Sequence, residues 1–353
     1  FFMNLSILFG GASYEHEISI VSAIALKKVL KVTHFIFLDA EGDFWLIPHA
    51  KMRSDFFADG GYKKEAKLSL VRGGFVQKGL LGAKKLEDLG TLINLVHGAQ
   101  GEDGTLAALL DFYRIAYIGP RKEASAVSFN KWLTKLYAEG LGIATVEWQL
   151  LRIDEERKID FDYPVIVKPV RLGSSIGVSV VRKPEELDYA LDVAFEFDDE
   201  VLIEPFIEGI VEYNVAGCRV GNEWIFGKIE APEKKEFLDF EQKYLDFART
   251  EGVQEAKIDE TLAADLQAAF KKVYGTFFEG ALIRCDFFFA SGEISLNEIN
   301  PIPGSLANYL FEDFAGTIET LARHLPKPRT IRPDYAYIKN IQSAKGPKTG
   351  HRA

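Results

Sequence analysis

Long apolar runs, cysteines and the standard nucleotide signatures are what this sequence has least of. No apolar stretch approaches the roughly 18 residues needed to cross a bilayer, so no membrane partner is expected, and the opening FFMNLSILFGG turns polar too early for a secretory leader. The only cysteines, Cys218 and Cys285, lie far apart. They make neither a disulfide framework nor a zinc site and point to a reducing, cytoplasmic setting. GxGxxG and GxxxxGK[ST] are both absent, which excludes the dinucleotide fingerprint and the Walker loop. Positive charge is short too: 42 Lys and Arg against 52 Asp and Glu leave −10. That balance excludes a broad nucleic-acid surface and still allows small basic pockets for an anionic ligand. No repeat or low-complexity tract occurs. What remains is 353 residues, 47% apolar and 27% charged, an ordinary globular composition large enough for two or three domains of about 100 to 200 residues.

The most informative stretch is residues 281–304, ALIRCDFFFASGEISLNEINPIPG. Two apolar segments joined at Ser291-Gly292 predict a β-hairpin. Strand alternation puts Leu282, Arg284, Asp286 and Phe288 on one face, and Glu298 and Asn300 extend it on the second strand. Burying four such groups unpaired costs several kcal/mol, so something must compensate them. Two readings are open. Carboxylates and an amide oxygen suit Mg²⁺, with Arg284 beside the metal to neutralise an oxyanion; alternatively the groups form an internal ion-pair network.

Along the chain, residues 5–9 predict a strand, followed by a Gly10-Gly11 turn and a helix over 18–30, the order of an open α/β unit. Glu15, His16 and Glu17 fall at the strand's carboxyl end, where such sheets place ligands. A second buried strand, 92–96, ends in the polar loop HGAQGEDG beginning at His97, and Gly119-Pro120 reads as a domain boundary. Residues 50–90 show weak periodicity. A single long helix is expected over 122–141, with Lys131 and Lys135 as solvated residues. The segment YPVIVKPVRLGSSIGVSVV, 163–181, delivers Lys168 into a loop containing Gly173, Ser174, Ser175 and Gly177 between two strands. Backbone N–H groups there can approach phosphate oxygens, and a plain hairpin turn is the alternative. Residues 231–257, with Lys243-Tyr244, read as a lid or binding loop. The last helix is expected over 317–325, and the tail from about Ser343 is basic and loose.

Taken together, GGASYEHEIS, HGAQGEDG, the Lys168–Gly177 loop, EQKYLDF, RCDFFF and NEINPIPG, in this order, resemble the D-alanine–D-alanine ligases of the ATP-grasp superfamily. The resemblance implies an α/β fold, α+β in the ATP-grasp part, with an open α/β domain over 1–119, ATP-grasp subdomains over 120–208 and 209–342, and a tail over 343–353. It implies ATP and two Mg²⁺ (or Mn²⁺) ions, leaves K⁺ open, and implies two D-alanine sites and a homodimer. Residue by residue, Lys131, Lys168 and Ser175 would contact ATP phosphates. Glu204, Phe206 and Ile207 would read adenine, and Glu212 the ribose. Asp286, Glu298 and Asn300 would hold the metals. Glu15, Ser174 and Tyr244 would join over the amino-acid sites, Arg284 and the Gly304 main chain would hold the reacting carboxylate, and His97 and Lys243 would meet the two substrate carboxylates. Val170, Ala99-Gln100 and Tyr309 depart from the family pattern, the last where relatives place a serine on the second carboxylate. Another carboxylate–amine ligase and a nucleotide-binding module without catalysis are the alternatives.

Overall fold

Ser6, Ile7, Leu8 and Phe9 are all fully shielded from solvent, as expected of a strand covered on both faces of a sheet. The computed structural model describes residues 3–79, 82–232, 253, 255–327, 329 and 331–344. Leu5–Gly10 is the pivot of the first of three sheets among the described residues, pairing in parallel with Val32–Leu38 on one side and Thr91–Asn94 on the other. The helix His16–Val29 follows it and buries Ile18, Ile20, Val21 and Leu26. Among the described residues the sheet has eight strands. Ala66–Val71, Gly74–Gly79 and Gly82–Lys85 extend it by antiparallel pairing within the stretch whose weak periodicity told little.

The second sheet has four strands, with Val165–Pro169 antiparallel to both Ser179–Val181 and Glu200–Pro205. Leu187–Phe195 covers one face through Leu187, Ala190, Leu191 and Ala194. The third sheet carries the hairpin, Ile283–Ala290 against Glu293–Asn300, flanked by Val211–Val220. Its apolar side, with Cys285, Phe287, Leu296 and Ile299, packs on the helix Glu260–Tyr274 through Leu266, Phe270 and Val273. The hydrophobic core of the first sheet also takes in Leu306, Phe314, Ile318 and Leu321, so the carboxyl-terminal part is welded to the amino-terminal sheet by shared apolar burial.

Three expectations need correction. The helix over 122–141 is two helices, Lys122–Phe129 and Lys131–Gly140, because Asn130 leaves the helical region and its side chain caps the second by accepting from Leu133 N at 2.9 Å. Lys135 is not solvated: it is 1% exposed. The segment 317–325 is not the last helix, since Ala336–Ala344 forms another beyond Phe314–Arg323.

Candidate active site

The hairpin register sets the site. Arg284 lies opposite Asn300 and Asp286 opposite Glu298, so the four polar side chains of the sequence reading do share one face. Asn214, across from Asp286 on the neighbouring strand, joins them. With its amide nitrogen turned to the carboxylates it donates to Glu212 Oε1 at 3.2 Å and Asp286 Oδ1 at 3.1 Å. Arg284 donates through Nε to Asp286 Oδ1 at 2.7 Å and through Nη2 to Oδ2 at 2.8 Å, and Asn300 Nδ2 donates to Asp286 Oδ2 at 2.9 Å. Burial pushes the Asp286 carboxyl up to about 6 against the pull of Arg284, and burial together with the charges of Asp286 and Glu298 pushes Glu212 up to about 8. The face thus contains ion pairs and still holds more negative charge than Arg284 balances.

Among the described residues no group of three or more His, Cys, Asp and Glu side chains is arranged to hold a metal ion. The donor set, two carboxylates and an amide, is nevertheless of the hard oxygen type that suits Mg²⁺, which takes its remaining ligands from water and phosphate. The raised proton affinity of Asp286, crowded by Glu298 and Glu212, fits a divalent cation.

Facing this surface are Lys168 of the second sheet and Lys131 of the helix Lys131–Gly140. Lys168 Nζ donates to Glu204 Oε2 at 2.6 Å and reaches Asn297 Oδ1 at 3.5 Å, which ties it to the hairpin. Lys131 Nζ donates to Leu172 O at the entry to the Gly/Ser loop. Burial lowers its proton affinity while the charges of Glu298, Glu15 and Glu204 counter that loss. Ser174 and Ser175 both take φ of 54°, so the loop is coiled back on itself. Phe206 N donates to Pro164 O at 2.9 Å, fixing the linker, while Ile207 remains exposed.

Glu15 closes the other side. It begins the helix His16–Val29, is 5% exposed, and accepts from Ser174 Oγ at 2.5 Å. Burial pushes its carboxyl up, opposed by Ser174 and by the charge of Lys131. Gly98 (φ +72°) is required beside it, because a Cβ there would stand 2.9 Å from Ser13 Oγ and 3.0 Å from Glu15 Oε2. His97 is buried and held neutral, its proton affinity lowered to about 4 by burial, with Nε2 3.2 Å from Ser22 Oγ. The same hydroxyl accepts from Ser305 N at 3.0 Å, next to Gly304. Gly304 opens a turn in which Ser305, Leu306 and Ala307 all have φ near +50°. Tyr309 in that turn donates to Glu230 Oε2 at 3.2 Å.

Lys131, Lys168, Glu204, Glu212, Arg284, Asp286, Glu298 and Asn300 are therefore gathered between two sheets, with Glu15, Ser174, Ser175, His97 and Gly304 at one end. Lys243 and Tyr244 lie outside the described residues. Asn214 and Glu102 escaped the sequence reading. The Glu102 carboxyl, buried and accepting from Gly98 N at 2.8 Å, is pushed well up by burial and by the charge of Glu15.

Sequence models described as the amino-terminal and carboxyl-terminal parts of D-Ala–D-Ala ligase match residues 4–120 and 138–316. The chain belongs to the D-alanine–D-alanine ligase family. Among relatives of that name, the protein of Wolinella succinogenes is 59% identical over 345 residues, 98% of this chain and all of that protein, and the protein of Campylobacter jejuni subsp. doylei is 52% identical over 345 residues, 98% and 99% of the two chains. The crystal structure of the Helicobacter pylori D-alanine–D-alanine ligase superposes with a TM-score of 0.83 at 51% identity, covering 93% of this chain and all of that one. The D-Ala:D-Ser ligase VanG of Enterococcus faecalis, at 23% identity and TM-score 0.70 over 91% of this chain and 98% of that one, shares the ATP-grasp fold. No helix among the described residues is long and apolar enough to cross a membrane.

Proposed function

We propose that this chain uses ATP to join two molecules of D-alanine through an acyl phosphate, supplying a peptidoglycan precursor in the cytoplasm. The observation that carries the reading is the opposition of the carboxylate face of the hairpin to Lys131 and Lys168 across one cleft. A carboxylate is a poor acceptor for an amine, so the first substrate must be activated; phosphoryl transfer asks the protein for positioning and charge stabilisation and little covalent chemistry. Lys131, Lys168 and the Ser175 loop hold the phosphates. Glu204, Phe206 and Ile207 meet the base and Glu212 the ribose. Asp286, Glu298 and Asn300 would hold two Mg²⁺ or Mn²⁺ ions, which neutralise phosphate charge when bound.

Glu15 receives the ammonium of the first D-alanine, and His97, neutral at physiological pH, lies by its carboxylate. Arg284 and the Gly304 N–H stabilise the tetrahedral oxyanion formed when the second amine attacks. In the structure Arg284 is engaged by Asp286, so its guanidinium must be shared with or released to the substrate to meet the oxyanion. Glu15 and Ser174 join with Tyr244 to shut out water, and Lys243 meets the second carboxylate. The division at 119, 208 and 342, a homodimer and any K⁺ requirement belong to the same proposal.

Phosphate release from ATP and Mg²⁺ should depend on D-alanine and yield D-alanyl-D-alanine. Dependence on a different amino acid, or no release, overturns the assignment. Tyr244 implies an amine as second nucleophile, so D-alanine should outcompete D-lactate near neutral pH; preferential ester formation rejects that role.

A further inference from the structure

Glu204 sits at the centre of a buried arrangement that the ligase chemistry leaves unexplained. Each of its oxygens is taken by a different lysine: Oε1 lies 2.5 Å from Lys135 Nζ and Oε2 2.6 Å from Lys168 Nζ. Lys168 faces the cleft and bridges to Asn297 of the hairpin. Lys135 does not. It rises from the helix Lys131–Gly140, is 1% exposed, and has Val146 O at 3.4 Å as a further acceptor. Burying an ammonium carries a desolvation penalty of several kcal/mol, which a single carboxylate already paired to another lysine repays poorly. A well-packed apolar residue would serve the fold as well.

We propose that Lys135 is the residue that makes the nucleotide site select adenine over guanine, by keeping Glu204 ionised from behind. This rests on the reading that Glu204 faces the base. An ionised carboxylate offers only acceptors, and its two oxygens together carry about four lone-pair sites, so two lysines leave capacity for at least one more donor. The exocyclic amine of adenine is such a donor; the corresponding carbonyl of guanine is an acceptor and meets like charge. A protonated Glu204 would carry an O–H and accept guanine as readily. Two cations on one buried carboxylate prevent that protonation, burial opposing and Lys168 and Lys135 prevailing to hold the carboxyl below its usual range. Lys168 is unsuited to the task alone, because it faces the cleft and is also needed by the phosphates. Lys135 makes no approach to the cleft and is therefore a positioning residue.

The test compares KM for ATP and for GTP in the wild type, Lys135→Met and Glu204→Gln, with Lys135→Arg as the charge-preserving control. Wild type should prefer ATP strongly. Lys135→Met should lose roughly tenfold or more of that preference, the size expected when one charge-assisted hydrogen bond of about 1.5 kcal/mol or more is compromised. The lost preference should return as pH is raised, while Lys135→Arg keeps it throughout. A merely structural lysine would lower Tm and kcat with the ATP/GTP ratio unmoved, and that result overturns the proposal. Unchanged selectivity in Glu204→Gln would show instead that this carboxylate does not meet the base. Loss in Glu204→Gln with none in Lys135→Met would reject Lys135 alone. If Lys135→Met does not fold, Lys135→Gln, which keeps a hydrogen-bond donor without the charge, carries the same comparison.

Discussion

Replacing Arg284 decides between the two readings that the polar hairpin face allowed. Its guanidinium makes two hydrogen bonds to Asp286, whose side chain is 3% exposed while that of Arg284 is 18% exposed. Removing one partner of a buried pair typically costs about 3 to 5 kcal/mol of stability, because the other charge is stranded. Here the cost falls at the low end, since Asn300 and Asn214 also donate to Asp286 and its carboxyl, already raised to about 6, can take a proton. Arg284→Ala should therefore remain folded at reduced temperature with a Tm lowered by several degrees. If Arg284 also holds the oxyanion, turnover falls by a further factor of about 10² to 10³, the loss seen when one such donor is removed. Circular dichroism first fixes a temperature at which the variant is native; D-alanine-dependent phosphate release and nucleotide affinity are then measured there. A folded variant that binds ATP almost normally and turns over at under a hundredth of the wild-type rate fits the catalytic role. One that keeps half the rate refutes it and leaves a structural ion pair.

Two further outcomes follow from the geometry. Gly98→Ala must place a Cβ against Ser13 Oγ and Glu15 Oε2 at a positive φ; about 1 to 2 kcal/mol of backbone strain should accompany a rise in KM for D-alanine with that for ATP unaltered, and an unchanged D-alanine KM would contradict the placement of Glu15. His97 titrates near 4 in the native protein against about 6.5 when unfolded. The unfolded chain therefore binds the proton first, so about 3 kcal/mol of stability, complete above pH 6.5, is lost as pH falls toward 4; His97→Asn should flatten the decline of Tm between about pH 7 and about pH 4.5, and a parallel decline in both proteins would show that another group sets it.

The hairpin was readable from residues alone because strand alternation is strict and its polar face interrupts an otherwise apolar run. The Gly/Ser loop and the two strand-ending polar loops were legible for the same reason: glycine and charge at the end of a buried strand. Lys135 was not. At four residues from Lys131 it follows the helical spacing of a solvated face, and its partner Glu204 arrives from a distant strand that no local pattern anticipates. Asn214 was hidden within an apolar strand whose other face supplies core. The strands at 66–85 escaped because they lie toward the sheet's edge, with Lys78, Lys84 and Lys85 exposed, so they lack the alternation that burial on one face imposes. The break at Asn130 rests on a capping side chain within a continuous helical pattern.

The hydrogen bond from Ser174 to Glu15 spans 159 residues of sequence and joins the Gly/Ser loop, proposed above to cradle the nucleotide, to the helix start proposed to receive the amino acid. On that proposal, energy from the triphosphate would be made conditional on both reactants being seated. If those roles hold, a molecule in which either arm is displaced would still burn nucleotide slowly, yet with the activated acid lost to the surrounding solvent instead of being captured by an amine.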